Sequence, residues 1–165
     1  MAEALTIRDA RTADAAACAE IYRPHVTDSW VSFELEAPDP AEMARRILQY
    51  GESHVWLVAE QGGAIAGYAY GSPHRTRAAY ATSCDVAIYV SAAAPRSGIG
   101  RALYRELLAR LKARGFHAAF AGITQPNPAS VALHEACGFT PVGIYREVGW
   151  KMGAWRDVGW WQRVL

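Results

Sequence analysis

Cysteine is scarce in this sequence, and its spacing does not pair. Cys18, Cys84 and Cys137 are odd in number, far apart and without a C-x-x-C pair. A disulfide framework and a zinc site are therefore not expected, and a reducing cytoplasm is the simpler setting. No run of about 18 apolar residues is present to span a bilayer, and Met1–Asp9 carries acids where a signal peptide would have an apolar core. Excess charge is missing too: the formal net charge is +1, which excludes a nucleic-acid-coating protein and a polybasic membrane anchor. Repeats, low-complexity tracts and linkers are absent. What is present is a globular composition, 52% hydrophobic and 20% charged over 165 residues, enough for one domain over residues 1–165 with its own core.

The pattern along the chain alternates strand and helix signals. Leu5–Arg8 reads as a short strand, and Thr12 as the N-cap of an alanine-rich helix to about Tyr22, closed by Pro24. Pro40 opens a helix over Ala41–Tyr50 that Gly51 stops. His54–Glu60, the turn Gln61-Gly62-Gly63 and Ala64–Tyr70 form a hairpin, and Cys84–Val90 is a further strand. Arg101–Arg114 is the strongest amphipathic helix, with Leu103, Leu107, Leu108 and Leu111 on one stripe and Gly115 at its end. His117–Ile123 is a strand, Pro128–Cys137 a short helix closed by Gly138, and the tail from Phe139 is again strand-like. This is an α/β domain.

Between the Cys84–Val90 strand and the long helix lies Ala94-Pro95-Arg96-Ser97-Gly98-Ile99-Gly100-Arg101. The first amides of a helix have no intrahelical partner and sit at the positive end of its dipole, so a glycine turn there suits a phosphate. Ser97, Gly98, Ile99, Gly100 and Arg101 supply the amides, and Arg96 and Arg101 can add charge-assisted contacts. A P-loop is excluded because no Lys-Ser/Thr follows the second glycine, and a dinucleotide fingerprint because the third glycine is missing.

Strand, arginine, G-x-G and long helix in that order resemble the acetyl-CoA site of the GNAT superfamily of N-acetyltransferases. The turn departs from that pattern by one residue, since a single position separates Arg96 from Gly98. Asn127-Pro128-Ala129-Ser130, leading through a helix to Gly138-Phe139, is similar to the superfamily's second cofactor segment. Ser32-Phe33-Glu34, Gly67–Tyr70, Arg77–Tyr80, Ile88–Ser91 and the tail Lys151–Gln162 resemble the phosphinothricin N-acetyltransferase branch, whose members acetylate the α-amine of phosphinothricin or of analogues such as methionine sulfoximine. The resemblance spans roughly the whole chain. It implies a mixed central β-sheet with a splayed strand, flanked by helices on both faces. It also implies acetyl-CoA as co-substrate, no metal, and a homodimer.

Acetyl transfer needs a free amine, a polarised thioester carbonyl and a proton for the leaving thiolate. By resemblance, the strand amides near Ile88, Tyr89 and Val90 bind the cofactor together with the glycine turn, Asn127 and Ser130. Asp85 opens an otherwise apolar strand, where aspartate is depleted. It matches the position of the branch's glutamate base and is one methylene shorter, so a bridging water is expected. His134 and Tyr104 are rival donors to the thiolate. Arg75 and Arg77 suit bidentate capture of a carboxylate or phosphinate, with Tyr80 lending a hydroxyl and Phe33 an apolar wall. Trp150, Trp155, Trp160 and Trp161 are expected to pack the sheet or a dimer interface. Two other readings stay open: another free amine or a protein N-terminus as acceptor, and an acetyl-CoA sensor without turnover.

Overall fold

The computed structural model describes residues 4–94 and 98–165. Its strands are β1 (Leu5–Asp9), β2 (Trp56–Gln61), β3 (Ala64–Pro73), β4 (Ser83–Val90), β5 (Ala118–Thr124), β6 (Thr140–Lys151) and β7 (Ala154–Val164). The helices are α1 (Ala15–Thr27), α2 (Pro40–Ser53), α3 (Ile99–Ala113) and α4 (Pro128–Ala136). The strands form one sheet in the order β1-β2-β3-β4-β5-β7-β6. Every pairing is antiparallel except β4 with β5.

Both faces of the sheet are covered. The period-2 alternation of side chains sends Leu57, Ala59, Ala69, Cys84 and Val86 into one core with the α3 stripe Leu103, Leu107, Leu108 and Leu111. Trp56, Val58 and Tyr68 enter a second core with α1 and α2, which contribute Cys18, Tyr22, Val26, Met43 and Ile47. Leu103, Leu107 and Leu111 are fully buried. Truncating any one of them to alanine would cost about 2–5 kcal/mol.

Three helix boundaries differ from the sequence expectation. Pro24 does not close α1, which continues through it to Thr27. Proline removes one helical donor, but the next turn survives because Asp28 N–H bonds the Pro24 carbonyl at 3.0 Å and Val26 is buried in the second core. Thr12 is not the cap either. It opens a 3₁₀ turn, Thr12–Asp14, and the Arg11 N–H is bound by Asp14 Oδ2 at 2.8 Å. In the same way α2 runs past Gly51 to Ser53, with the His54 N–H on the Tyr50 carbonyl at 2.8 Å. Asp39 caps its start through the Glu42 N–H.

Candidate active site

The site is built on the place where the sheet opens. β4 and β5 pair only over Ser83↔Ala118, Cys84↔Ala119 and Asp85↔Phe120, and beyond that both strands continue unpaired to each other. The direction of the freed groups follows from alternation. Ser91 N–H bonds the Ala66 carbonyl beyond the end of β3–β4 pairing, while the Thr82 carbonyl accepts from His117 and Ala118. Odd residues of β4 therefore turn their backbone groups to β3, and even residues turn theirs to β5. Ile88 and Val90 aim amide and carbonyl into the open wedge. The Tyr89 amide, grouped with them in the sequence reading, faces β3. A cavity of about 70 Å³ fills the wedge, lined among others by Ile88, Tyr104, Asn127, Ser130 and His134.

Asp85 sits at the vertex, the last β4 residue paired with β5. Its Oδ1 lies 2.5 Å from His74 Nδ1. Burial pushes the Asp85 carboxyl above its ordinary value, against the opposing pull of the His74 hydrogen bond and the charges of His74 and Arg75. The His74 ring stacks on Phe120 at 4.3 Å between centroids. Tyr80 and Trp160 meet it edge-on at 5.9 and 6.1 Å. Sequence reasoning missed His74. The available signal was its place at the end of β3, with the register setting Ser72 opposite Asp85. Trp160, expected only to pack, also reaches this cluster.

Tyr104 and His134, posed as rivals, are bonded to each other. The Tyr104 hydroxyl is 2.7 Å from His134 Nε2, and His134 Nδ1 is 2.7 Å from the Ser130 carbonyl. A carbonyl only accepts, so Nδ1 carries the proton and Nε2 accepts from the tyrosine. Burial lowers the His134 pKa and keeps the ring neutral, while burial lifts the Tyr104 hydroxyl well above its ordinary range. Neutral His134 thus has its one N–H tied to backbone, which leaves Tyr104 as the mobile proton of the pair.

At the glycine turn, Gly98 caps α3 in a left-handed conformation with φ +78°, and no side chain caps the helix. The first intrahelical bond here is Ala102 N–H to the Gly98 carbonyl at 3.0 Å, so among the described residues the amides of Ile99, Gly100 and Arg101 have no helical partner. A Cβ on Gly100 would come within 3.1 Å of Leu133, so glycine there lets α3 approach α4. Arg96 and Ser97 lie outside the described residues. From Gly98 an open groove of about 1160 Å³ runs between α3 and the end of β7, bordered by Arg101, Arg105, Lys112 and Arg163. It does not include the vertex residues. Asn127 Oδ1 caps α4 through the Ser130 N–H at 3.2 Å, which fixes the far wall of the wedge.

The Ser32–Glu34 segment is held by Lys151, which is buried and donates to the carbonyls of Val26 at 2.8 Å, Ser32 at 2.8 Å and Glu34 at 2.5 Å. Arg46 pairs with both Glu34 oxygens, and Tyr22 adds its hydroxyl. The Ser32-Phe33-Glu34 segment is therefore clamped, and Phe33 lies so close to Gly149 of β6 that a Cβ there would overlap its ring. Arg75 and Tyr80 stand near the vertex: Arg75 acts on the Asp85 charge, and Tyr80 touches His74. Arg77 caps the short 3₁₀ turn Ala78–Tyr80 with its side chain exposed. Among the described residues no group of three or more His, Cys, Asp or Glu is arranged to hold a metal, and no helix is long and apolar enough to cross a membrane.

A parting pair of strands, a glycine-capped helix beside it and the Tyr104–His134 pair in the wedge are the architecture of an acyltransferase. The chain belongs to the acetyltransferase (GNAT) family, whose model matches residues 23–139, and it is an N-acetyltransferase. It is 41% identical over 157 residues to a phosphinothricin N-acetyltransferase of Streptomyces viridochromogenes, covering 95% of this chain and 86% of that protein. An L-methionine sulfoximine/L-methionine sulfone acetyltransferase of Salmonella typhimurium is 32% identical, with 98% and 95% covered. Among solved structures, a phosphinothricin acetyltransferase from Sinorhizobium meliloti in complex with acetyl-CoA superposes with a TM-score of 0.92 at 40% identity, covering 98% of this chain and 88% of that one.

Proposed function

We propose that this enzyme transfers the acetyl group of acetyl-CoA to the α-amine of a small amino-acid analogue of the phosphinothricin or methionine sulfoximine type. The observation that carries this reading is the Asp85–His74 pair at the vertex of the β4–β5 wedge, with Arg75 beside it, in a chain similar over its length to enzymes named for those substrates. The free amides of Ile99, Gly100 and Arg101, with Arg96 and Ser97 of the same turn, would hold the pyrophosphate. The basic border of the groove beyond Gly98 suits the nucleotide end.

Ile88 and Val90 would receive the pantetheine and thioester groups in the wedge, with Asn127 and Ser130 on the opposite wall. The Asp85–His74 pair supplies the basic group that takes the amine proton, and Tyr104, backed by His134, supplies a proton to the leaving thiolate. Arg75 and Arg77 would take the carboxylate and the second anionic group, with Tyr80 and Phe33 flanking the substrate.

A second copy of the chain is the partner proposed for β6. This strand is the sheet edge and exposes Val142, Ile144, Tyr145, Val148 and Trp150, an apolar display unusual for a monomer surface. The paired rings of Trp150 and Trp155, 5.0 Å apart, extend it. A cytoplasmic location agrees with three free cysteines.

The test is thiol release from acetyl-CoA across phosphinothricin, methionine sulfoximine, methionine sulfone, ordinary amino acids, an alanine-terminated peptide and polyamines. The analogues should exceed the ordinary amino acids in kcat/KM by at least about tenfold, the discrimination a few polar contacts provide. Turnover confined to the peptide or the polyamines would move the acceptor to another class.

A further inference from the structure

We propose that His74, not Asp85, is the group that takes the proton from the attacking amine, and that Asp85 is the positioning residue that orients it. This rests on the reading of the protein as an amine acetyltransferase and names the base within that site.

The geometry decides which atom is free. A carboxylate can only accept, so at 2.5 Å the shared proton sits on His74 Nδ1, and the imidazole lone pair is left at Nε2. Nε2 has no hydrogen-bond partner among the described residues. The His74 side chain keeps 12% of its surface exposed. Asp85 Oδ1 is engaged by His74, and its Oδ2, free of hydrogen bonds among the described residues, is the rival acceptor that the Asp85→Asn arm below separates from Nε2. Asp85 is also shorter than the glutamate expected at its position, and the imidazole extends its reach by about the width of a ring. The ring is held in place: Phe120 of β5 stacks on it, and Tyr80 and Trp160 of β7 pack against it at steep angles. The titratable or charged groups facing it are Asp85 from β4, Tyr80 from the 3₁₀ turn and the neighbouring Arg75; Phe120 and Trp160 bring no charge. A base held by a carboxylate at Nδ1 and presenting Nε2 to the reacting atom is the orienter–base arrangement of acyl-transfer sites.

The step balances as follows. The amine nitrogen's lone pair forms the N–C bond at the thioester carbonyl, and one N–H proton moves to His74 Nε2. The C–S bond breaks with its electron pair on sulfur. The thiolate is protonated from Tyr104, which recovers a proton from solvent. The imidazolium, steadied by the Asp85 carboxylate, returns its proton to solvent, leaving an amide and a free thiol.

The experiment compares His74→Asn, His74→Ala and Asp85→Asn in steady-state acetylation of the best amine, with acetyl-CoA affinity measured separately. His74→Asn keeps a donor toward Asp85 and deletes Nε2. Its kcat should fall by about 10²–10³-fold with acetyl-CoA affinity within about threefold. His74→Ala leaves a ring-sized gap, and added imidazole should restore part of its activity. Retention of kcat within about threefold in His74→Asn, beside a collapse in Asp85→Asn, would make Asp85 the base and overturn the proposal. Failure of imidazole to rescue His74→Ala at unchanged acetyl-CoA affinity would reduce His74 to a packing residue and overturn it too. Wild-type protein without transfer to any amine would instead overturn the proposed function, and this inference with it.

Discussion

The hydroxyl of Tyr104 donates to Nε2 of His134 across 2.7 Å, joining α3 to α4 through the interior of the β4–β5 wedge. Both side chains are buried, Tyr104 completely. The bond is therefore made in a low-dielectric setting, where losing one partner strands the other.

Tyr104→Phe removes the mobile proton and leaves His134 Nε2 without its donor. The expected outcome is a fall in kcat of about tenfold to a hundredfold and a loss of about 1–3 kcal/mol in unfolding free energy. Acetyl-CoA affinity should change little. Steady-state kinetics and denaturant titration check both, and an unchanged kcat would remove Tyr104 from the proton path.

Gly98 has the opposite character: nothing crowds its Cβ position, but its φ of +78° is one that a β-branched residue adopts only under strain. Gly98→Val would re-aim the amides of Ile99, Gly100 and Arg101. Acetyl-CoA dissociation constants from calorimetry should rise by about tenfold or more, the equivalent of 1–2 kcal/mol of backbone strain or lost contacts. Binding as tight as wild type would dismiss the amide cradle.

Gly51 is a different case. It lies inside α2 with open space at its Cβ position and an ordinary helical φ. Gly51→Ala should raise stability by about 0.5–1 kcal/mol, seen as a higher urea midpoint at unchanged slope.

These glycines also mark how far the sequence could be read. The periodic stripe of α3, the cap-and-proline start of α2 and the wedge strand were legible because apolar period and turn chemistry are local signals. Gly51 and Pro24 misled because local stop signals were outweighed by tertiary burial of Met43, Ile47 and Val26. The Tyr104–His134 bond and the Asp85–His74 pair join residues 30 and 11 positions apart. Nothing local announces such contacts; they exist only once the sheet register and helix packing are set. The clamp of Lys151 on the Ser32–Glu34 segment, more than a hundred residues away in the chain, is the extreme instance.

Stability should depend on pH through Asp14. The Arg8 hydrogen bond holds its carboxyl below its ordinary value of 3.8, outweighing burial, with the Arg11 amide adding to the effect. A depressed folded value means that the unfolded chain binds the proton first as pH falls. The stabilisation is thus complete above about pH 5 and is lost as pH drops through 3.8 toward the lower folded value. At pH 7, Asp14→Asn should be less stable than wild type by about 2 kcal/mol. That gap should begin to narrow below about pH 4 and close only below the depressed folded value, and a gap independent of pH would contradict the assignment.

The central claim is acetylation of an amino-acid α-amine, and product analysis addresses it most directly. Incubation of the wild-type protein with acetyl-CoA and methionine sulfoximine or phosphinothricin, followed by mass spectrometry and NMR, should give one acetyl group on the α-nitrogen for each thiol released. Recovery of unmodified amino-acid analogue, with thiol absent or formed by hydrolysis alone, would contradict the account.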